Sequence, residues 1–253
     1  MAAKDFSRIE DDYLFFMQSS TEAEADRTAH LATLRANFTA NDSVHYLDFG
    51  CGAGHFTESL LSQWGHEPAA LTCTLVEPVA RHLHEAAERV RDFSHQEVLT
   101  CTEIDDIAFG SYDLLLANHS CYYVECATTV ARRLTAALRP GGTGILAIAG
   151  NDNFLIQMWQ AGFAACGMSV PWWVAEDYRS VLNETCVSVQ RRDVPYQILF
   201  SDTAEQRMKL LRFLFADHLP QLDLTILMQQ LDRVSNNGMV DIRTSSQHLV
   251  FRV

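Results

Sequence analysis

Asp48-Phe-Gly-Cys-Gly-Ala-Gly54 is the stretch on which the fold turns. It follows a short apolar run, Val44-His-Tyr-Leu-Asp-Phe49, and precedes a segment in which Phe56, Leu60 and Leu61 recur at helical spacing. A strand that passes through three glycines into a helix leaves bare backbone amides at the helix N-terminus, where a ligand can lie against them. The spacing is Gly-x-Gly-x-Gly. The Gly-x-Gly-x-x-Gly of dinucleotide binders would need glycine at position 55, where His55 stands.

Outward from the loop, Leu71-Thr-Cys-Thr-Leu-Val76 reads as a second strand that delivers Glu77, and Pro78 stands where the next helix opens. Glu97–Cys101, Tyr112–Ala117 and Thr143–Ala149 are three more short apolar runs. A helical pattern over Glu125–Leu138 stops at Arg139-Pro-Gly-Gly142. Strands alternating with helices predict an α/β fold, a doubly wound, mostly parallel seven-stranded sheet with helices on both faces. Upstream, residues 5–40 read as two helices parted at Ser19-Ser20-Thr21-Glu22, the second with an apolar face through Ala29, Leu31, Leu34 and Phe38. Beyond Gly150 come helices over Asn151–Ala165 and Val174–Glu184, then a strand over Cys186–Arg191. Two more helices follow, at about Thr203–His218 and Leu222–Val234. Met239–Ile242 and His248–Val253 close the chain as an antiparallel pair. No linker or repeat divides it. The expectation is one domain over residues 1–253, with a helical cap (1–43), a ligand-binding core (44–150) and a helical insertion before the last strands (151–253).

Composition narrows the function. Hydrophobic residues at 48% and charged residues at 20% describe an ordinary globular chain. No apolar run reaches the roughly 18–20 residues of a membrane span. The opening Met1-Ala-Ala-Lys-Asp-Phe-Ser-Arg-Ile-Glu10 lacks the apolar core of a signal peptide, so a cytoplasmic location is expected. Nineteen basic against 32 acidic residues give a formal charge of −13, which argues against a nucleic-acid partner and favours cationic small molecules. Seven cysteines without a Cys-x-x-Cys pair point to neither a disulfide framework nor a structural metal site.

The second strand gives the glycine loop its meaning. Glu77 stands where a carboxylate can take both hydroxyls of a ribose. The third strand leads into Thr102-Glu-Ile-Asp-Asp-Ile-Ala-Phe109, an edge suited to an adenine ring, and the fourth reaches Asp113-Leu-Leu-Leu-Ala-Asn-His119. This ordered set resembles the class I S-adenosylmethionine-dependent methyltransferases over about residues 44–150. The resemblance implies that Gly50, Gly52 and Gly54 let the methionyl part of S-adenosylmethionine approach the backbone. Asp48 would orient its ammonium group or the loop, and Glu77 would hold the ribose. Glu103 and Ile104 would flank the adenine, Asn118 would lie beside the methionine moiety, and His82 would be a further polar contact.

Tyr13-Leu-Phe-Phe-Met-Gln-Ser-Ser-Thr-Glu22, Val76-Glu-Pro78, Asn118-His-Ser-Cys-Tyr-Tyr-Val124 and Ala149-Gly-Asn-Asp-Asn-Phe-Leu-Ile-Gln-Met-Trp159 look like stretches of the histamine N-methyltransferase family. That resemblance implies an acceptor pocket lined by Tyr13, Tyr122, Tyr123 and Trp159. Glu22 would anchor a distal cationic group, and His119 would touch the acceptor. Histamine methylators carry glutamine at that last position, which puts histamine itself in doubt. The reaction implied is methyl transfer to a small amine or nitrogen heterocycle without a metal. A nitrogen must be neutral to attack, and an imidazole with an ordinary pKa near 6.5 suits His119 as its base. Two other readings stay open: an O- or C-methyltransferase of a natural-product pathway, and a cofactor-binding sensor or partner subunit without catalysis. The chain would be a monomer or a homodimer.

Overall fold

A computed structural model describes residues 9–186 and 188–253. Two helices lead, α1 (Glu10–Ser19) and α2 (Glu22–Asn37). Residues 5–8 of the first expected helix lie outside the described part. Then come β1 (Val44–Phe49), α3 (His55–Trp64), β2 (Leu71–Val76), α4 (Ala80–Val90), β3 (Leu99–Cys101), β4 (Tyr112–Asn118), α5 (Ala127–Ala137) and β5 (Leu138–Ile148). The second half holds α6 (Phe154–Ala165), α7 (Ala175–Thr185), β6 (Ser188–Ser201), α8 (Ala204–Phe215), α9 (Leu224–Asp232), the two-residue β7 (Ser235–Asn236) and β8 (Met239–Arg252).

The sheet runs β3-β2-β1-β4-β5-β8-β6, with β7 paired to β8 off this path. Strands β1 to β5 are parallel neighbours, and β8 joins β5 and β6 antiparallel. Both faces are buried, so side chains of alternate residues enter different cores. Leu114 and Leu116 of β4 pack with Leu31 and Leu34 of α2, Leu60 of α3 and Ala86 of α4. Leu115 and Ala117 pack on the other side with Leu134 of α5, Leu182 of α7 and Leu211 of α8. This is why the strands read as unbroken apolar runs rather than alternating ones. Chain order reverses between β1 and β4, so a crevice opens at their carboxyl ends, beside Phe49 and Asn118.

The expected pairing of Met239–Ile242 with His248–Val253 is corrected. The two segments are one strand, β8, which pairs along its whole length with β6. The intervening Arg243-Thr-Ser-Ser-Gln247 is polar but continues the strand, and Ser246, Gln247 and His248 are buried against partners on other elements. Strand β6 also runs on to Ser201, past the expected end at Arg191. Val194, Tyr196, Ile198 and Phe200 alternate inward from this edge strand, which tolerates Pro195 and is bridged by Ser20 at Ile198. No described helix is long and apolar enough to cross a membrane.

Candidate active site

The glycine loop is built first. Gly50, Gly52 and Gly54 all take positive φ (74°, 54° and 81°), a region that costs other L-residues about 1–2 kcal/mol. Their surroundings differ. A Cβ on Gly50 would strike the side chain of Ser120, and one on Gly54 would stand 2.7 Å from Ala86 Cα of α4. A Cβ on Gly52 would meet nothing within 4 Å. Gly50 and Gly54 are therefore glycine so that loop, β4 end and α4 can close together, whereas Gly52 presents its bare backbone to open space.

Glu77 closes the same loop from the side. Its carboxylate, 9% exposed, accepts from Gly52 N–H at 3.1 Å and from Val79 N–H at 3.1 Å. Each oxygen keeps a lone pair for a further donor. Asp48 is buried and accepts from the Thr57 hydroxyl, which ties β1 to the first turn of α3. Burial first, and the charge of Glu77 with it, raise its pKa to about 6 against the lowering by Thr57. Asp48 thus holds the loop. Ile104 is half-buried and Glu103 exposed at the end of β3, and His82 is half-buried in the first turn of α4. Asn118 is half-buried at the end of β4, with its Oδ1 taking His30 Nε2 at 2.8 Å. An open-backed glycine, a carboxylate with spare lone pairs and a neighbouring edge fit the ribose and methionyl parts of S-adenosylmethionine.

Next along β4 stands His119, whose φ of 52° is left-handed although it is not glycine. Non-glycine residues held there are few, and they gather at functional sites. Its Nε2 lies 2.8 Å from Asp26 Oδ2 and 3.8 Å from Glu22 Oε1, and its Nδ1 lies 2.9 Å from the Tyr122 hydroxyl. That hydroxyl also accepts from Ala149 N–H at 2.7 Å. Asp26 is fully buried, and its other oxygen takes the Ser246 hydroxyl at 2.7 Å and His248 Nε2 at 2.8 Å. His30 stacks on His248 with centroids 4.4 Å apart. One side-chain oxygen or nitrogen atom from each of Glu22, Asp26 and His119 lies within 4.8 Å of the other two.

Electrostatics follow from this crowding. Burial alone would lower the His119 pKa, but the charges of Glu22 and Asp26 outweigh it and raise the pKa to about 9. Burial pushes Glu22 up, Asp26 adds to that, and His119 and a hydrogen bond from Tyr196 offset part of it. Asp26 is held well below the carboxylate range, because His119 and His248 outweigh its burial. His30, pulled down to about 3 by burial and then by His248, is neutral. His119 is therefore held as an imidazolium at neutral pH between the carboxyl groups of Glu22 and Asp26, rather than as the imidazole of ordinary pKa expected from the sequence.

The other residues expected to line an acceptor pocket lie around this cluster. Tyr122 stacks on His119 at 5.9 Å and meets Trp159 edge-on at 5.6 Å, and Tyr123 meets Trp172 edge-on at 5.9 Å. Tyr13 lies 6.0 Å from Phe213, and Glu22 helps burial raise its phenol pKa. Trp159 is buried with Nε1 donating to Leu214 O, so its indole is held in the wall. Asp26, His30, Tyr196, Ser246 and His248 are members of the cluster that sequence reasoning missed. For α2 a signal existed: Glu22, Asp26 and His30 recur every fourth residue and so share one helix face.

Residues 47–143 match the family model described as "Methyltransferase domain". The chain is 25% identical over 169 residues to Nodulation protein S of Sinorhizobium fredii, covering 66% of this chain and 70% of that protein. It is 34% identical over 134 residues to trans-aconitate 2-methyltransferase of Paracidovorax citrulli, covering 52% of this chain and 47% of the other. Among these curated relatives, the chain spans between 4% and 70% of their length. A solved structure described as a possible histamine N-methyltransferase from Thermotoga maritima superposes with a TM-score of 0.54 at 11% identity, covering 98% of this chain and 97% of that one.

Proposed function

Since residues 47–143 match the methyltransferase-domain model and the sheet has the class I S-adenosylmethionine-dependent methyltransferase fold, we propose that this chain methylates a nitrogen of a small amine or nitrogen heterocycle. One observation carries the choice of acceptor. The Glu22–Asp26–His119 cluster, beside Asn118 and walled by tyrosines, sets two carboxyl groups against one imidazole. A buried site with an excess carboxylate attracts a cation and repels an anion, and the faces of Tyr122 and Tyr123 add to the attraction.

In this reading Gly52 and Glu77 hold S-adenosylmethionine, with Asp48 and Ser120 fixing the loop that carries them. The cofactor supplies a sulfonium methyl ready for displacement. The chain's own work is to draw the ammonium to Glu22, hold its nitrogen in line with that methyl and exclude water. Helix α2 roofs the site from one side, fastened by Asp26 to β8 and by His30 to Asn118. A carboxylate acceptor is the contrasting case, for it would have to approach two carboxylates.

Methyl-deuterated S-adenosylmethionine offered with panels of amines, phenols and carboxylic acids, read by mass spectrometry, tests the proposal. Label on the nitrogen of an amine or heterocycle supports it. Label only on oxygen or carbon refutes it.

A further inference from the structure

An attacking nitrogen that arrives as an ammonium must lose a proton, and the cluster's geometry says where it goes. His119 has no free lone pair to offer. Its Nε2 is engaged with Asp26 Oδ2 at 2.8 Å and its Nδ1 with the Tyr122 hydroxyl at 2.9 Å, so both ring nitrogens are occupied. Asp26 cannot reach an acceptor either. It is 0% exposed, and Ser246, His248 and His119 occupy its oxygens. Glu22 is the cluster's carboxylate with accessible surface, its side chain 14% exposed.

We propose that Glu22 accepts the proton of the attacking nitrogen, with His119 beside it as a fixed cation and Asp26 as the residue that positions His119. The proposal rests on the amine reading above. In this step the ammonium N–H bond breaks and its electron pair stays on nitrogen. An O–H bond forms on Glu22, and the freed pair is what a sulfonium methyl requires. Glu22 then returns the proton to solvent through its accessible edge.

The groups facing Glu22 agree with this role. Asp26 on its own helix raises its pKa, as burial does, and His119 at the end of β4 lowers it. Tyr196 of β6 donates to it, and the phenols of Tyr13, Tyr122 and Tyr123 all feel its charge and stay protonated at neutral pH. A carboxylate whose pKa is lifted above its ordinary value, with an imidazole nitrogen 3.8 Å away, is a stronger base than an exposed one. His30 and His248 act at one remove, through Asn118 and Asp26.

Two measurements test the assignment. Nitrogen-15 NMR of the imidazoles, with His119 assigned by its absence in His119→Asn, should find both ring nitrogens protonated at pH 7.5. A neutral ring with a bare nitrogen would overturn the proposal. With the best amine from the panel, Glu22→Gln should lower kcat about 100-fold or more and remove the acid limb of its pH profile, while Glu22→Asp keeps part of the rate. An unchanged kcat with a raised KM would make Glu22 an anchor only and overturn the proposal, leaving the methyltransferase reading intact. Cofactor binding with no amine methylated by the wild-type chain would overturn the amine reading, and this inference with it.

Discussion

His119 ties the stability of the fold to pH in a window where few other groups respond. Its pKa rises from 6.5 to about 9 on folding, and its side chain is 18% exposed, so little of the effect is screened by solvent. The folded chain therefore holds a proton that the unfolded chain releases near pH 6.5. The resulting stability is fully present below that pH, is lost as pH climbs toward 9, and is absent above. A shift from 6.5 to about 9 at 1.36 kcal/mol per unit amounts to about 3 kcal/mol. Asp26 shares this interaction, so its own shift is not added. Removing the imidazole should remove the slope, and Asn is the replacement of choice because it tolerates a φ of 52°. The assay is urea unfolding at half-unit steps from pH 6 to 9.5, comparing wild type with His119→Asn. The difference between the two should shrink by about 3 kcal/mol across that range, while tyrosines and cysteines common to both cancel. Parallel curves would refute the reasoning and mean that His119 is neutral in the fold.

Other expectations follow from neighbouring geometry. Gly54→Ala places a Cβ 2.7 Å from backbone of α4 at left-handed φ, so thermal unfolding should show a loss of about 2–5 kcal/mol. Gly52→Ala meets open space and should cost about 1–2 kcal/mol of stability. Its main effect should be weaker cofactor binding in calorimetry, and the opposite ranking of the two variants would reassign the glycines. Tyr122→Phe strips a buried Ala149 N–H and His119 Nδ1 of their shared oxygen, which should cost about 1–3 kcal/mol in chemical denaturation.

What the sequence disclosed follows from how local each feature is. The glycine loop and Glu77 were legible because backbone sign, helix entry and strand end are set within a few residues. The core strands were legible because both their faces are buried. The acceptor-side cluster was only half legible. Glu22 and His119 stood out by resemblance, and the four-residue period of Glu22, Asp26 and His30 marks one helix face. Nothing local, however, couples Asp26 to His248, which lies 222 residues away. The same cause hid β8. Ser246 and His248 are polar because they meet Asp26, and a polar run inside a strand reads as a turn until that partner is known. The left-handed backbone of His119 was not legible either, since histidine, although enriched at positive φ, adopts it in only a minority of cases.

Calorimetric titration of S-adenosylmethionine and its demethylated product into the chain tests the central claim most directly, with Glu77→Ala as the control. Glu77 fixes Gly52 N–H, and in the proposed reading it also takes the ribose hydroxyls, hydrogen bonds to a charged group worth on the order of 2–3 kcal/mol. The wild-type chain should bind both ligands, the variant should bind them roughly 30- to 150-fold more weakly, and nicotinamide dinucleotide should not compete. No heat with either ligand, or equal affinity in wild type and Glu77→Ala, would contradict the claim that this crevice is a site for S-adenosylmethionine.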